Sequence, residues 1–173
     1  MRTITVKKGD TGGLFTEGWN SVEITKAEYG DWQGSKFLDV WFKDYPESLN
    51  MRIYAKEGKD GEEFAIGQVF RFANAGIQEA LEGADGTTSV TIDDDPKHLV
   101  GKNVNVMLYK QGKYFRVLPK VAPVEFTGKL DTMTLEDITF WKGKADKYFQ
   151  DFVAPKLQKE VKEEVVDSID DVF

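Results

Sequence analysis

Between Ser35 and Tyr54 apolar residues fall at every second position. Leu38, Val40 and Phe42 alternate with Phe37, Asp39, Trp41 and Lys43. Past the turn residues Pro46, Glu47 and Ser48, Leu49, Met51 and Ile53 alternate with Asn50, Arg52 and Tyr54. Successive side chains of a strand point to opposite faces, so the pattern predicts two adjacent strands, each with one wholly apolar face for a core. The opposite face gathers Phe37, Trp41, Lys43, Arg52 and Tyr54. Large aromatics interleaved with cations on the solvent side of a sheet suit a surface that stacks bases and holds phosphates.

The rest of the chain divides by the same criterion. Residues 1–18 have little apolar periodicity and read as a loosely held arm; their glycines lack the spacing and the Lys-Ser or Lys-Thr pair of a phosphate-cradling loop. Trp19 to Glu28 is a first strand with Val22 and Ile24 inward, and Tyr29 to Gly34 is a turn with Trp32 at its tip. That tryptophan is either a lid on the end of the core or an exposed stacking platform. Phe64 to Leu81 changes to helical spacing, weakened by Gly67 and Gly76, and Gly83 to Leu99 reads as a connector. Asn103 to Tyr109 and Lys113 to Val121 form the last two strands around the hairpin signal Gln111-Gly112. Val104, Val106 and Leu108 face inward, while Met107, Tyr109, Tyr114, Arg116 and Lys120 face outward. Thr134 with Asp137 fits a capping box, opening a helix that carries Trp141, Ala145, Tyr148, Phe149 and Phe152. The helix is predicted to stop at Ala154, before Pro155, and to pack on this domain or on a second subunit.

Three strands, a helix and two further strands, joined by short hairpins, is the order of a mainly β, five-stranded Greek-key barrel, the OB-fold. The predicted organisation is an arm over 1–18, the OB-fold domain over 19–124, a helical extension over 125–155 and a mobile acidic tail over 156–173. In such a barrel the second and third strands form the ligand face. The loops beside it carry Trp32 and Lys36 on one side, and Lys110 and Lys113 on the other.

Charge refines this picture. The net charge is −7, which at face value opposes nucleic acid, but Glu160 to Phe173 holds one Lys against six acids and leaves the body close to neutral. The absence of cysteine excludes a disulfide framework, a thiolate nucleophile and cysteine-ligated zinc. His98 stands alone, Asp93, Asp94 and Asp95 lack the spacing that wraps a cation, and no carboxylate pair is singled out. The expectation is therefore a protein that is not an enzyme and takes no cofactor or metal. With no apolar run of membrane-spanning length and no leader, a cytoplasmic location is expected.

A resemblance joins these readings. The segment GWNSVEITKAEYGDWQGSKFLDVWF, the helix containing FANAG, the LVGKNVNVML strand and the final DSIDDVF resemble the OB-fold single-stranded DNA-binding proteins encoded by tailed phages. The last seven residues also look like the acidic, Phe-terminated tip of bacterial single-stranded DNA-binding proteins, although Val172 stands where that tip carries proline. The resemblance implies sequence-tolerant binding of single strands in replication, recombination and repair, dimers or higher oligomers, and no catalysis. On this reading Trp32, Phe37, Trp41, Tyr54, Tyr109 and Tyr114 stack bases. Lys36, Lys43, Arg52, Lys110, Lys113 and Arg116 contact the backbone. Asp170, Asp171, Val172 and Phe173 recruit replication or recombination proteins and compete with DNA when no partner is present. The alternative is a non-catalytic OB-like adaptor domain that binds protein through the same aromatic face.

Overall fold

The computed structural model describes residues 1–3, 15–55 and 65–159. The acidic tip, with the expected partner contacts at Asp170, Asp171, Val172 and Phe173, lies outside the described residues, as do most of the arm and the loop 56–64. The protein is mainly β with a C-terminal helix.

Five antiparallel strands form the main sheet: β1 (Gly18–Trp32), β2 (Ser35–Phe42), β3 (Met51–Tyr54), β6 (Asn103–Gln111) and β7 (Tyr114–Val117), in the order β3-β2-β1-β6-β7. The first strand is long enough to serve two partners. Its first half, Gly18 to Glu23, pairs with β6, and its second half, Ile24 to Trp32, pairs with β2. A bulge between Ile24 and Lys26 separates the halves. The extra residue reverses the alternation, so Ile24 and Ala27 share the core side while Lys26 turns outward opposite Trp41. Among the described residues no ladder joins β3 to β7, so the sheet is not closed into the expected barrel.

The expected apolar faces form the core. Leu38, Val40, Phe42, Leu49, Met51 and Ile53 are buried together with Ile24, Val104, Val106 and Leu108. One end is plugged by helix α1 (Ala65–Phe72), through Ile66, Val69, Phe70 and Phe72. The helix is shorter than its periodicity predicts. Asn74 (φ 52°) and Gly76 (φ 67°) take left-handed backbone and end it. A side chain at Gly76 would also collide with the Asp93 carbonyl.

Beyond that break the expected helix end and connector form instead an antiparallel ribbon, β4 (Ile77–Glu82) and β5 (Thr88–Ile92). The β-branched residues Thr88, Val90, Thr91 and Ile92 and the turn at Gly83 to Gly86 favour this pairing, and tertiary context overrides helical spacing. The ribbon is fastened by Asp93 N–H donating to the Gly76 carbonyl at 2.7 Å and by the Tyr29 hydroxyl donating to the Asp94 carbonyl at 2.8 Å. His98 Nε2 lies 2.9 Å from Asp93 Oδ2. A 3₁₀ turn, Pro96–Leu99, then leads into β6.

A small hairpin, β8 (Phe126–Thr127) and β9 (Thr132–Met133), precedes helix α2 (Leu135–Tyr148). Arg71 of α1 bonds Asp131 in its loop at 2.7 Å. The capping box forms as the sequence predicts, with Thr134 and Asp137 satisfying each other's backbone N–H. The predicted stop at Ala154 does not occur. A π-helical turn, Phe149–Val153, intervenes, with Ala154 N–H donating to the Phe149 carbonyl five residues back, and helical backbone continues through Pro155 to Lys159. Widening the turn ahead of Pro155 accommodates both its missing N–H and its ring.

Helix α2 packs in cis. Ala145, Tyr148, Phe149 and Val153 cover Met107, Leu118, Trp19 and Tyr109 on the outer side of β1, β6 and β7. Trp141 reaches Phe72 of α1 at 5.0 Å between ring centroids, and Trp19 Nε1 donates to Asp146 at 3.1 Å. Among the described residues, no helix is long and apolar enough to cross a membrane.

Candidate functional site

The bulge in β1 and the placement of α2 divide the outer surface of the sheet into two halves. One, over the start of β1, β6 and the end of β7, is roofed by α2. The other, over the end of β1, β2 and β3, carries no covering element among the described residues.

On the open half, register sets the order of side chains. Lys26 faces Trp41, Glu28 faces Asp39, Gly30 faces Phe37 and Trp32 faces Ser35 across β1 and β2; Asp39 faces Arg52 and Phe37 faces Tyr54 across β2 and β3. Trp32 flanks a two-residue turn, Gln33 (φ 52°) and Gly34 (φ 81°), whose left-handed angles match the twist of the strands. At 58% exposure it is an open platform and not a lid.

Phe37 is not the exposed ring that alternation predicts; it is 8% exposed. The far end of its ring lies over Gly30, where the missing side chain leaves room. The Arg52 guanidinium carbon sits 3.8 Å from the Phe37 centroid, and Tyr54 meets the ring edge-on at 5.7 Å. Arg52 is in turn held by Asp39 through two parallel bonds, Nε to Oδ1 at 2.8 Å and Nη2 to Oδ2 at 2.9 Å. These bonds, with a smaller contribution from the Tyr54 side chain, hold the guanidinium above its ordinary pKa. Asp39, 8% exposed, has its charge compensated in this fork, as a buried carboxylate requires.

Trp41 is half-buried and fixed by its indole N–H, which donates to the Glu47 carbonyl at 3.2 Å. Lys26 lies 4.7 Å over its ring and pairs with Glu28 at 3.4 Å. The inner cations and acids of the face therefore compensate one another. The positive charge left over sits on Lys43, exposed at the end of β2 and without an ion pair among the described residues. Lys36, expected on this face, pairs in register with Asp31 and turns to the other side of the sheet, where it lines a cavity of about 550 Å³ with Asp31, Ile66 and Asp94.

The β6–β7 hairpin places its residues differently. Lys110, Lys113 and Arg116 are exposed, Tyr114 is 70% exposed, and the Lys110 ammonium lies 5.4 Å over Phe115. Arg116 Nε donates to Gln111 at 3.3 Å. Lys113 to Arg116 face Pro46, Ser48 and Leu49 of the β2–β3 loop across a groove of about 320 Å³. The same loop holds Trp41 through the Glu47 carbonyl, while the residues of the open face do not line the groove. Tyr109 is on the roofed half, with its ring 5.4 Å from Phe149, and Met107, which faces outward as expected, is buried beneath α2.

The structure thus brings together Trp32, Phe37, Trp41, Lys43, Arg52 and Tyr54, turns Lys36 to the other side of the sheet, places Lys113, Tyr114 and Arg116 along a separate groove, and sets Tyr109 on the roofed half. Lys26 and Gly30 belong to the face and were missed by alternation. The bulge hides Lys26, and only the register with Phe37 gives Gly30 its role. No group of three or more His, Asp or Glu among the described residues is arranged to hold a metal.

Comparison with known proteins leaves the geometry to speak for itself: no family model, curated protein or solved structure matches this chain.

Proposed function

We propose that the protein binds single-stranded DNA without strong sequence preference through the open half of its sheet. The observation that carries this reading is the asymmetry of the outer surface. α2 and the π turn after it cover Met107 and partly bury Trp19 and Tyr109, while Trp32, Trp41, Tyr54 and the Arg52–Phe37 stack carry no covering element among the described residues, with exposed Lys43 at their edge. Aromatic platforms supply stacking that any base can accept, and rim cations supply backbone attraction without reading sequence.

The sheet order, with α1 after the third strand, supports a five-stranded OB-type arrangement in which β2 and β3 are the ligand face. The ribbon β4–β5 is then an insertion between α1 and the fourth strand of that arrangement. The acidic end, Asp170, Asp171, Val172 and Phe173, completes the proposal as the element that recruits replication or recombination proteins.

The test is a titration of intrinsic tryptophan fluorescence with oligo-dT at low and high salt. Stacking on Trp32 and Trp41 quenches emission, and the affinity falls steeply with salt as counterions are released. Emission unchanged at low salt refutes the proposal. An apolar protein ligand for the same face, as the adaptor alternative requires, would hold its affinity as salt rises.

A further inference from the structure

Arginines on nucleic-acid surfaces are ordinarily assigned to phosphate, but the surroundings of Arg52 leave it little to offer one. Two of its nitrogens are occupied by the Asp39 carboxylate in a parallel fork at 2.8 and 2.9 Å, so its charge is already compensated at contact distance. The same fork, with the Phe37 ring at 3.8 Å on one side, fixes where the guanidinium sits. Phe37 itself is wedged between Gly30, Tyr54 and Arg52 and is 8% exposed. The Arg52 side chain keeps 43% of its surface exposed, while Phe37, beneath it, is 8% exposed.

We propose that Arg52 is a base-stacking platform and not a phosphate contact. Its guanidinium is the top of a built stack (Gly30 backbone, Phe37 ring, guanidinium) that presents a flat, charge-compensated surface to one nucleobase. A planar guanidinium is a recognised partner for an unstacked base, and here the plane is prepared before ligand arrives, so little ordering is left to do on binding. Phe37 contributes from beneath, as a support, and does not touch the base. Asp39 is a positioning residue, since it acts through Arg52. The inference rests on the single-stranded nucleic-acid reading above and reassigns one residue within it.

Charge and planarity are separated by two variants. R52K keeps the charge and loses the plane. R52Q/D39N loses both charges, keeps the pair's net charge at zero and retains a planar amide that can hydrogen-bond its neighbour. Each is titrated by anisotropy against oligo-dT and against an abasic strand of the same length, over a range of salt concentrations. For R52K the expected loss on oligo-dT is roughly 5- to 150-fold, the worth of one stacked base. Its salt slope is unchanged, and its loss on the abasic strand is much smaller. R52Q/D39N is expected to keep the wild-type salt slope and to lose less affinity than R52K.

A slope shallower by about 0.7 in R52Q/D39N, the signature of one lost phosphate contact on a single strand, overturns the inference. So does an R52K loss of equal size on both strands, or wild-type affinity in R52K. Wild-type protein that fails to bind oligo-dT at all overturns the parent reading instead, which keeps the two failures distinct.

Discussion

Gly30 is the position where a single methyl group tests the built stack. Its φ lies outside the left-handed region, so alanine fits the backbone. A Cβ there would stand under 3.0 Å from Cζ and Cε2 of Phe37. The ring has no easy retreat, because Arg52 lies 3.8 Å over its centroid and Tyr54 abuts its edge at 5.7 Å. Overpacking of this kind costs about 1–3 kcal/mol. Replacing glycine by alanine at a compatible position returns about 0.4–1 kcal/mol by restricting the unfolded chain. Gly30→Ala should therefore destabilise the protein by about 1.3 kcal/mol, the difference between the mid-range values of the two effects. In a Phe37→Leu background, which lacks the ring atoms in question, the same change should instead stabilise by about 0.4–1 kcal/mol. Urea unfolding of the four proteins, followed by circular dichroism, gives the coupling directly. A coupling near 1–3 kcal/mol with reversal of sign is expected; one below about 0.5 kcal/mol, the scale on which independent sites add, refutes the wedged geometry of Phe37.

Further tests address the rim, the helix cap and the ribbon. Lys43→Ala should make the salt dependence of oligo-dT affinity shallower by about 0.7 in the log–log slope, whereas Lys36→Ala, on the other side of the sheet, should leave it unchanged; neither should shift the urea midpoint much. Thr134→Ala removes one side of the capping box and should cost about 0.5–2 kcal/mol in urea unfolding, with oligo-dT affinity retained because α2 roofs the other half of the sheet. Asp93 titrates below its ordinary value of 3.8, first through the hydrogen bond with His98 and then through the Asp95 backbone N–H. Its contribution is present above that ordinary value and is lost as pH falls through the lowered one. Unfolding midpoints measured from about pH 6 down to pH 3 should fall more steeply for wild type than for Asp93→Asn at the acid end.

The core was legible because burial imposes period two on both sides of a hairpin. Leu38, Val40, Met51 and Ile53 could face only one way, and so could Val104, Val106 and Leu108. The capping box was legible because it is a local exchange of hydrogen bonds between Thr134 and Asp137. What the sequence hid depends on partners distant along the chain. The bulge at Ile24 to Lys26 shifts register without a glycine or proline to mark it. Phe37 reads as exposed by alternation and is buried because Gly30 leaves a hollow across the strand and Arg52 closes it from above. Tyr109 has the same outward direction as a base-stacking residue, but α2, more than twenty residues further on, lies over it. Helical spacing to Leu81 was misleading because Asn74 and Gly76 turn the backbone left-handed, and Thr88 to Ile92 offer a strand partner. Pro155 marks a boundary only when the preceding turn is α-helical, and the π turn removes that condition.

The central claim is that one half of the sheet binds single strands and the roofed half does not. Anisotropy of labelled oligo-dT, measured at low and high salt for wild type, Trp41→Ala and Tyr109→Ala, tests it most directly. The account requires salt-sensitive binding that weakens roughly 5- to 150-fold in Trp41→Ala, the worth of one stacked base, and is unchanged in Tyr109→Ala. Equal loss in both variants, or wild-type affinity in Trp41→Ala, would contradict it.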